Sequence, residues 1–168
     1  MALAQGSVED LANAGEFARD PGLVDQLLRE TLSALVCIHG KGLIHRDIKP
    51  ANVLYTKSAG VYCFMLADFG LVVEANVAQT EAGTPMFQAP ELRQELPNVT
   101  NAIDIWSLFV TIAFAIDAGS LRTLPCSIRT LPLRIRHAAT DPRLVGFAHM
   151  ALTDPRQRPS AATLLKDS

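Results

Sequence analysis

Residues 100–117 constrain the fold of this chain more than any other part of its sequence, because they are apolar on every side. On a helix, the hydrophobic residues of this segment leave no polar face: Ile103, Ile105, Trp106, Leu108, Phe109, Val110, Ile112, Phe114 and Ile116. A helix that is hydrophobic all round is stable only when it is buried. The apolar run is also interrupted by Ser107 and Thr111 and is too short to span a bilayer. We therefore predict a buried central helix.

Length and composition agree with one domain built around such a core. The chain has 168 residues, of which 49% are hydrophobic and 19% are charged, and a compact domain of this size buries roughly 70% of its unfolded surface. The three cysteines are odd in number and widely spaced, which argues against a disulfide framework or a zinc site. No signal-like segment opens the sequence. We expect an intracellular, cytoplasmic protein, with the nucleus as the alternative.

Two helices are predicted ahead of the central one. The first covers residues 7–14, with Ser7 as its N-cap and Asp10 three positions later. The second has its N-cap at Asp20 and ends at Gly40. Its apolar residues repeat at steps of three and four, as in an amphipathic helix: Leu23, Val24, Leu27, Leu28, Leu32, Leu35, Val36 and Ile38.

The remaining sequence predicts one small β-hairpin and several short helices. Residues 53–55 and 61–66 are typical of strands, and a turn-forming cluster separates them. No strand signal follows Leu66, and residues 68–91 have no sustained periodicity. Short helices are predicted at 134–139, 143–152 and 161–166, the last with Ser160 as its cap. We expect a mainly α fold of the α+β type, a helical bundle around the central helix with one hairpin.

Charge is distributed unevenly along the chain. Residues 1–119 carry 7 basic and 14 acidic side chains, whereas residues 120–168 carry 8 basic and 3 acidic ones. Two interpretations stay open, ordinary solvated faces or a basic C-terminal surface that docks acidic partners. The net charge of -2 gives no reason to expect a nucleic-acid partner.

The chemically informative residues are concentrated in the loop 45–54, which reads HRDIKPANVL. Asp47 could accept a hydroxyl proton, Lys49 could neutralise a phosphoryl oxygen, and Asn52 could offer magnesium an oxygen ligand. One amide holds magnesium poorly, so a second, acidic site is expected downstream. Asp68 meets this expectation, and the combination indicates phosphoryl transfer.

These residues resemble the catalytic loop and the magnesium loop of eukaryotic-type serine/threonine protein kinases, H-R-D-x-x-x-x-N followed by D-F-G. Further matches follow in the family's order, GTP at 83–85, APE at 89–91, DIWS at 104–107 and DPRQRP at 154–159. A lysine two residues after the catalytic aspartate is the serine/threonine pattern. The resemblance covers nearly the whole chain and implies the fold of a kinase C-terminal lobe, with residues 1–168 as one partial domain.

The resemblance also implies the roles of the site residues. Asp47 would take the proton of the substrate hydroxyl, and Lys49 would steady the phosphoryl group that ATP transfers. Asn52 and Asp68 would hold Mg²⁺ between the phosphates, and Leu54 would lie beneath the adenine ring. ATP and Mg²⁺ are therefore the expected cofactors, and a protein that presents a serine or threonine is the expected substrate.

Several motif residues are expected to support this site. His45 and Phe69 would pack against each other as a core support, and Gly70 completes the same structural motif. Asp104 has two readings: a carboxylate that complements the dipole of the central helix, or, as the resemblance implies, an acceptor for the backbone N–H groups of His45 and Arg46.

Other motif residues are expected to act in regulation and in the attachment of the activation segment. Arg46 would pair with a phosphate on Thr80, four residues before Thr84. Thr84 would hydrogen-bond the catalytic aspartate and lysine, and Glu91 and Arg158 would form a buried ion pair.

The first 40 residues depart from the kinase pattern. They contain no Gly-x-Gly-x-x-Gly, no Val-Ala-x-Lys and no glutamate placed to pair with that lysine. We therefore expect a chain that begins just after the hinge, without the N-terminal lobe. Two functions compete: a serine/threonine kinase lobe that is inactive alone, or a catalytically inactive kinase-like module that binds and regulates partners. A separate N-lobe or an intact kinase is a candidate partner in either case.

Overall fold

The computed structural model describes residues 3–75, 83–93, 99–125 and 127–167. Its α-helices are α1 (Val8–Asn13), α2 (Glu16–Arg19), α3 (Gly22–His39), α4 (Pro90–Arg93), α5 (Ala102–Ala115), α6 (Leu131–Ala138) and α7 (Ala161–Asp167). Its strands are β1 (Gly6–Ser7), β2 (Leu43–Ile44), β3 (Val53–Ser58), β4 (Val61–Leu66) and β5 (Val73–Glu74). Short 3₁₀ stretches lie at Pro50–Asn52, Phe69–Leu71, Ala118–Ser120, Val145–Ala151 and Pro155–Gln157. The prediction of a mainly helical fold is confirmed.

Helix α5 is the buried centre that its sequence predicts. Every residue in it except Phe114 is buried, and it contacts α1, α3 and α6. It is two residues shorter at each end than the predicted 100–117. At its C-terminal end Asp117 adopts a positive φ of 56°, which is incompatible with a continued helix. Within the described residues, no helix is both long and apolar enough to cross a membrane.

The two predicted N-terminal helices are present. Ser7 caps α1, and a capping box is complete because the Asp10 N–H donates to Ser7 Oγ and the Asp10 carboxylate accepts from the Ser7 N–H. In α3 the apolar face is buried as predicted, and it packs against α5, α7 and β4. The N-cap of α3 is Pro21, one residue later than predicted, and the Asp20 carboxylate accepts from the Gly22 N–H at 3.0 Å.

The predicted hairpin is confirmed as β3 and β4, paired from Val53 with Leu66 to Ser58 with Val61. The sheet is larger than expected, because β1 adds a third strand beside β3. A second sheet pairs β2 with β5, so the expectation of no strand after Leu66 is wrong. Strands of two residues are too short to show the alternation of apolar and polar residues on which strand prediction depends.

The C-terminal helices differ from their predicted bounds. Helix α6 begins at Leu131, three residues before the predicted start, because Pro132 suits the first turn of a helix. The predicted α-helix at 143–152 is instead a 3₁₀ stretch at Val145–Ala151, which contains Gly146 and buries only Met150. Helix α7 starts as predicted, and Ser160 Oγ accepts from the Thr163 N–H at 3.1 Å.

Arg158, in the loop before α7, joins three parts of the chain. Its Nη1 and Nη2 donate to Glu91 Oε1 and Oε2 at 2.6 and 2.8 Å. Its Nε donates to Leu152 O at 2.7 Å, and Nη1 also donates to Ala102 O at 3.0 Å. The guanidinium carbon lies 5.0 Å from the ring centroid of Trp106. The expected ion pair between Glu91 and Arg158 is therefore present, and both of its buried charged groups are hydrogen-bonded.

Replacing Arg158 with alanine should lower the free energy of unfolding by roughly 3–5 kcal/mol, because the variant leaves the Glu91 carboxylate buried without its cation. Arg156→Ala is the matched control, since Arg156 pairs with Asp154 at the surface and its loss should change stability little. Urea denaturation followed by circular dichroism measures both variants. Equal losses in the two variants would contradict this role of the buried pair.

Candidate active site

Asp104, in the first turn of α5, anchors the loop that carries the candidate catalytic residues. Its side chain is fully buried, and its two oxygens accept from the backbone N–H groups of His45 and Arg46, both at 2.9 Å. The contacts of the second reading are thus present, and the position of Asp104 in the first turn of α5 also fits the first reading. A third contact was missed from the sequence: His39 Nε2, at the end of α3, lies 2.8 Å from Asp104 Oδ2. No motif in the sequence pointed to His39.

Arg46 occupies a backbone conformation that most residues avoid. Its φ is +70°, in the left-handed region, where a side chain crowds the following carbonyl. The hydrogen bond from its N–H to Asp104 helps to hold this conformation. Its Nε donates to Leu71 O at 2.7 Å, which ties the catalytic loop to the turn after Asp68. Thr80, the predicted phosphate site, lies outside the described residues, and its pairing with Arg46 stays a prediction.

The ring of His45 is buried and positions the backbone of the next site residue. Its Nε2 lies 3.2 Å from Ala67 O, and the Asp47 N–H lies 3.4 Å from its Nδ1. These contacts fit a neutral ring with the proton on Nε2. Burial lowers the pKa of His45 and outweighs the charge of Asp104, which acts to raise it. The neutral form is therefore favoured at neutral pH.

Phe69 contacts His45 as expected, but it is not part of the core. The two ring centroids are 5.2 Å apart in an edge-to-face arrangement. Phe69 is 52% exposed, however, so the expected role of this pair as a core support is only half met. His45 is fully buried, so its contact with Phe69 is one link between the turn at Phe69–Leu71 and the interior.

The carboxylate of Asp47 is the most densely hydrogen-bonded group of the loop. Lys49 Nζ and Asn52 Nδ2 donate to its Oδ2 at 2.7 and 2.9 Å. The N–H and the hydroxyl of Thr84 donate to its Oδ1 at 3.0 and 3.1 Å. Lys49 Nζ also donates to Thr84 Oγ1 at 2.9 Å, which closes a ring of contacts. Residues that are 37 positions apart in the sequence thus meet at one carboxylate.

This network keeps Asp47 ionised. Burial alone raises the pKa of its carboxyl, but the hydrogen bond and positive charge of Lys49, together with the two hydrogen bonds from Thr84, outweigh burial. The pKa of Asp47 therefore lies below its ordinary value. A carboxylate in this state can accept a proton from a bound hydroxyl at neutral pH.

Asn52 and Asp68 lie on neighbouring loops and offer oxygen atoms. The Ala67 N–H donates to Asn52 O at 2.9 Å, so the two loops run side by side. Asn52 Nδ2 donates to Asp47 O and Oδ2, which leaves its Oδ1 without a donor among the described residues. Asp68 has a φ of +60° and an exposed side chain, and its Oδ1 accepts from the Gly70 N–H at 3.3 Å.

Two further residues of the site are Leu54 on β3 and Gly83 just before Thr84. Leu54 is half-buried on β3, where it pairs with Met65 and Ser7. Gly83 has a φ of +91°, and a Cβ on it would lie 2.3 Å from Arg46 O. Only glycine therefore lets the chain pass close enough to Arg46 for the next residue to reach Asp47.

Gly83→Ala should separate this segment from the catalytic loop. The added methyl group would clash with backbone, and the left-handed conformation is itself unfavourable for alanine by roughly 1–2 kcal/mol. The amide of Thr84, which is bonded to Asp47 in the native protein, should exchange with deuterium faster in this variant. Gly146→Ala is the control, because nothing lies within 4 Å of its added Cβ. Unchanged exchange at Thr84 in Gly83→Ala would refute the assignment.

Lys49→Met should raise the pKa of Asp47, because it removes the cation that favours the ionised carboxylate. A carboxyl group whose pKa is lower in the folded protein than in the unfolded chain adds to the free energy of unfolding. This contribution is present at pH values above the unfolded pKa of about 3.9, and it is lost as the pH falls through the folded pKa. The variant should therefore lose this contribution at a higher pH than the native chain. Lys57→Met is the control, since Lys57 contacts Tyr62 instead. Carbon-13 NMR titration of the Asp47 carboxyl gives the readout, and equal midpoints would contradict the proposed cause.

Comparison with known proteins agrees with this geometry. The family model "Protein kinase domain" matches residues 2–121. Serine/threonine-protein kinase KIC1 of Saccharomyces cerevisiae is 38% identical over 175 residues, which cover 97% of this chain and 16% of the yeast protein. MAP3K epsilon protein kinase 2 of Arabidopsis thaliana is 34% identical over 180 residues, which cover 95% of this chain and 12% of the plant protein.

A mammalian relative is also a protein kinase. Serine/threonine-protein kinase PAK 4 of Mus musculus is 36% identical over 148 residues, which cover 80% of this chain and 24% of the mouse protein. The chain thus spans less than a quarter of each of these relatives. The residues that the family model matches include Asp47, Asp68 and Asp104. The chain belongs to the protein kinase family, and the relatives it resembles are serine/threonine kinases.

Proposed function

We propose that this chain carries the part of a serine/threonine kinase site that binds the acceptor hydroxyl and magnesium. The observation that supports this best is the Asp47 carboxylate, which is held ionised by Lys49 and Thr84 and oriented by Asn52. A carboxylate fixed in this way can orient a serine or threonine hydroxyl and take its proton. Because the Lys49 ammonium lies 2.7 Å from the same carboxylate, it can neutralise charge on a phosphoryl group that approaches the hydroxyl.

The oxygen atoms beside Asp47 fit the ion that protein kinases use. Magnesium prefers hard oxygen ligands and is usually bound by one or two carboxylates together with substrate phosphates. Asn52 Oδ1 and the Asp68 carboxylate supply this set, with one neutral and one charged donor. Asn52 and Asp68 would hold the ion, whose positive charge would help to neutralise the phosphates of ATP. Leu54, on the strand between these two residues, is the side chain we assign to the adenine ring.

The alternative function is a kinase-like module that only binds. The 168 residues contain neither a glycine-rich loop nor the lysine that contacts the α- and β-phosphates in kinases. We therefore infer that these 168 residues bind magnesium and substrate weakly and do not turn over ATP by themselves. The two functions differ in whether transfer returns when an N-terminal lobe is supplied.

A fusion experiment tests this proposal. The purified chain, incubated with labelled ATP, Mg²⁺ and a generic serine/threonine substrate, should transfer no phosphate. The same residues fused behind the N-terminal lobe of a related serine/threonine kinase should transfer phosphate. Asp47→Asn in the fusion should lower the rate by about 10²–10⁴-fold, which is the usual contribution of a positioned general base. Asp25→Asn, at an exposed position of α3, is the control and should leave the rate unchanged.

Three outcomes would contradict parts of this proposal. A fusion that folds but transfers no phosphate would favour the binding module. Transfer that survives Asp47→Asn would remove Asp47 from the catalytic role, and transfer by the chain without a fused lobe would contradict our inference that the lobe is required.

A further inference from the structure

A cavity of about 740 Å³ lies between α5, α6 and the 3₁₀ stretch at Val145–Ala151. Its volume falls within the range of small-molecule sites, which is roughly 300–1,000 Å³. None of its lining residues belongs to the Asp47 network. The family model ends at residue 121, so α6 and the 3₁₀ stretch lie beyond the matched region. The cavity is therefore separate from the proposed phosphoryl-transfer site.

The lining of the cavity is mainly apolar. Trp106 of α5 and Ile135 of α6 are buried behind it, and Ala148 contributes from the 3₁₀ stretch. Ile128 and Leu152 also line it and are 63% and 37% exposed. Exposed apolar side chains that converge on a concave surface gain free energy when an apolar ligand displaces water from them. An aliphatic or aromatic ligand body therefore fits this site.

One charged side chain lines the cavity, and no described carboxylate neutralises it. Arg136, in the last turn of α6, is exposed and forms no hydrogen bond or ion pair with any residue that the structure describes. By contrast, Arg143 pairs with Asp141, and Arg158 pairs with Glu91. The charge of Arg136 is thus available to a ligand, and the planar guanidinium group is suited to bind a carboxylate through two hydrogen bonds.

We propose that this cavity binds a small amphiphile of the fatty-acid class, an aliphatic chain that ends in a carboxylate. The chain lies against Trp106, Ile135 and Ala148, and the carboxylate pairs with Arg136. This assignment also gives a specific meaning to the basic C-terminal region, because Arg136 lies beside an apolar cavity and has no carboxylate partner in the described part of the chain. It does not depend on phosphoryl transfer, and either proposal can fail without the other.

The chain contains its own reporter for this binding. Trp106 is its single tryptophan and lines the cavity, so ligand binding should change the fluorescence of this residue. Titration with decanoate should give a saturable change, and calorimetry should give one site per chain. Decanol should bind about tenfold more weakly, because it lacks the charge that pairs with Arg136. Affinity should rise about fourfold for each CH₂ group added from hexanoate to decanoate.

Matched variants distinguish this site from nonspecific binding. Arg136→Ala should remove the preference for decanoate over decanol, and Arg136→Lys should keep most of it. Arg129→Ala is the control: Arg129 is exposed and has no described partner, but it does not line the cavity, so the preference should remain. Ala148→Phe should fill the cavity and weaken both ligands, with thermal unfolding as the check that the variant is folded. The proposal is overturned by a non-saturable titration, or by a decanoate preference that Arg136→Ala leaves intact.

Discussion

The buried carboxylate of Asp104 is the interaction on which the rest of this structure depends. A carboxylate inside a protein is unfavourable unless donors replace the water it has lost. Here the donors include the backbone N–H groups of His45 and Arg46, and His39 Nε2 provides a third contact. Because α5 is buried almost throughout, the position of Asp104 is fixed by packing, and the loop must adapt to it. The left-handed conformation of Arg46 is part of that adaptation, and it directs the chain toward Asp47.

The second constraint is that Asp47 obtains its donors from two separate segments. Lys49 and Asn52 lie on its own loop, whereas Thr84 follows a stretch of chain that begins at Asp68. The ionised state of Asp47 is fully stabilised only when both segments are in place. Since the approach of Thr84 requires Gly83 to lie against the catalytic loop, the order of the 83–89 segment and the chemistry of Asp47 are coupled.

The parts of this structure that could be predicted are those whose signal is long or whose motif is specific. Helix α5 was predictable because its hydrophobic residues leave no polar face, and α3 because its period is regular over five turns. The contacts of Asp104 and the pair of Glu91 with Arg158 came from the kinase resemblance, since their partners are 59 and 67 residues away in the sequence. The two-residue strands and the contact of His39 carry no local pattern, because tertiary packing alone creates them. The 3₁₀ stretch at Val145–Ala151 was mistaken for an α-helix because its apolar residues suit either geometry.

Helix α5 also connects the N-terminal and C-terminal parts of the chain, because it contacts α1 and α3 on one side of the sequence and α6 and the 3₁₀ stretch at Val145–Ala151 on the other. Two residues after Asp104, the ring of Trp106 faces the guanidinium group of Arg158. This guanidinium group also binds Glu91 in α4 and the carbonyl oxygen of Ala102. One helix therefore anchors the catalytic loop on one residue and the C-terminal segment on another. The cavity beside α6 is bounded by that same tryptophan, so its wall on α5 is held by the buried ion pair while its rim residues stay exposed. A ligand in this cavity, as proposed, would leave the hydrogen bonds of Asp104 in place, because the side chain of Asp104 is fully buried and does not line the cavity.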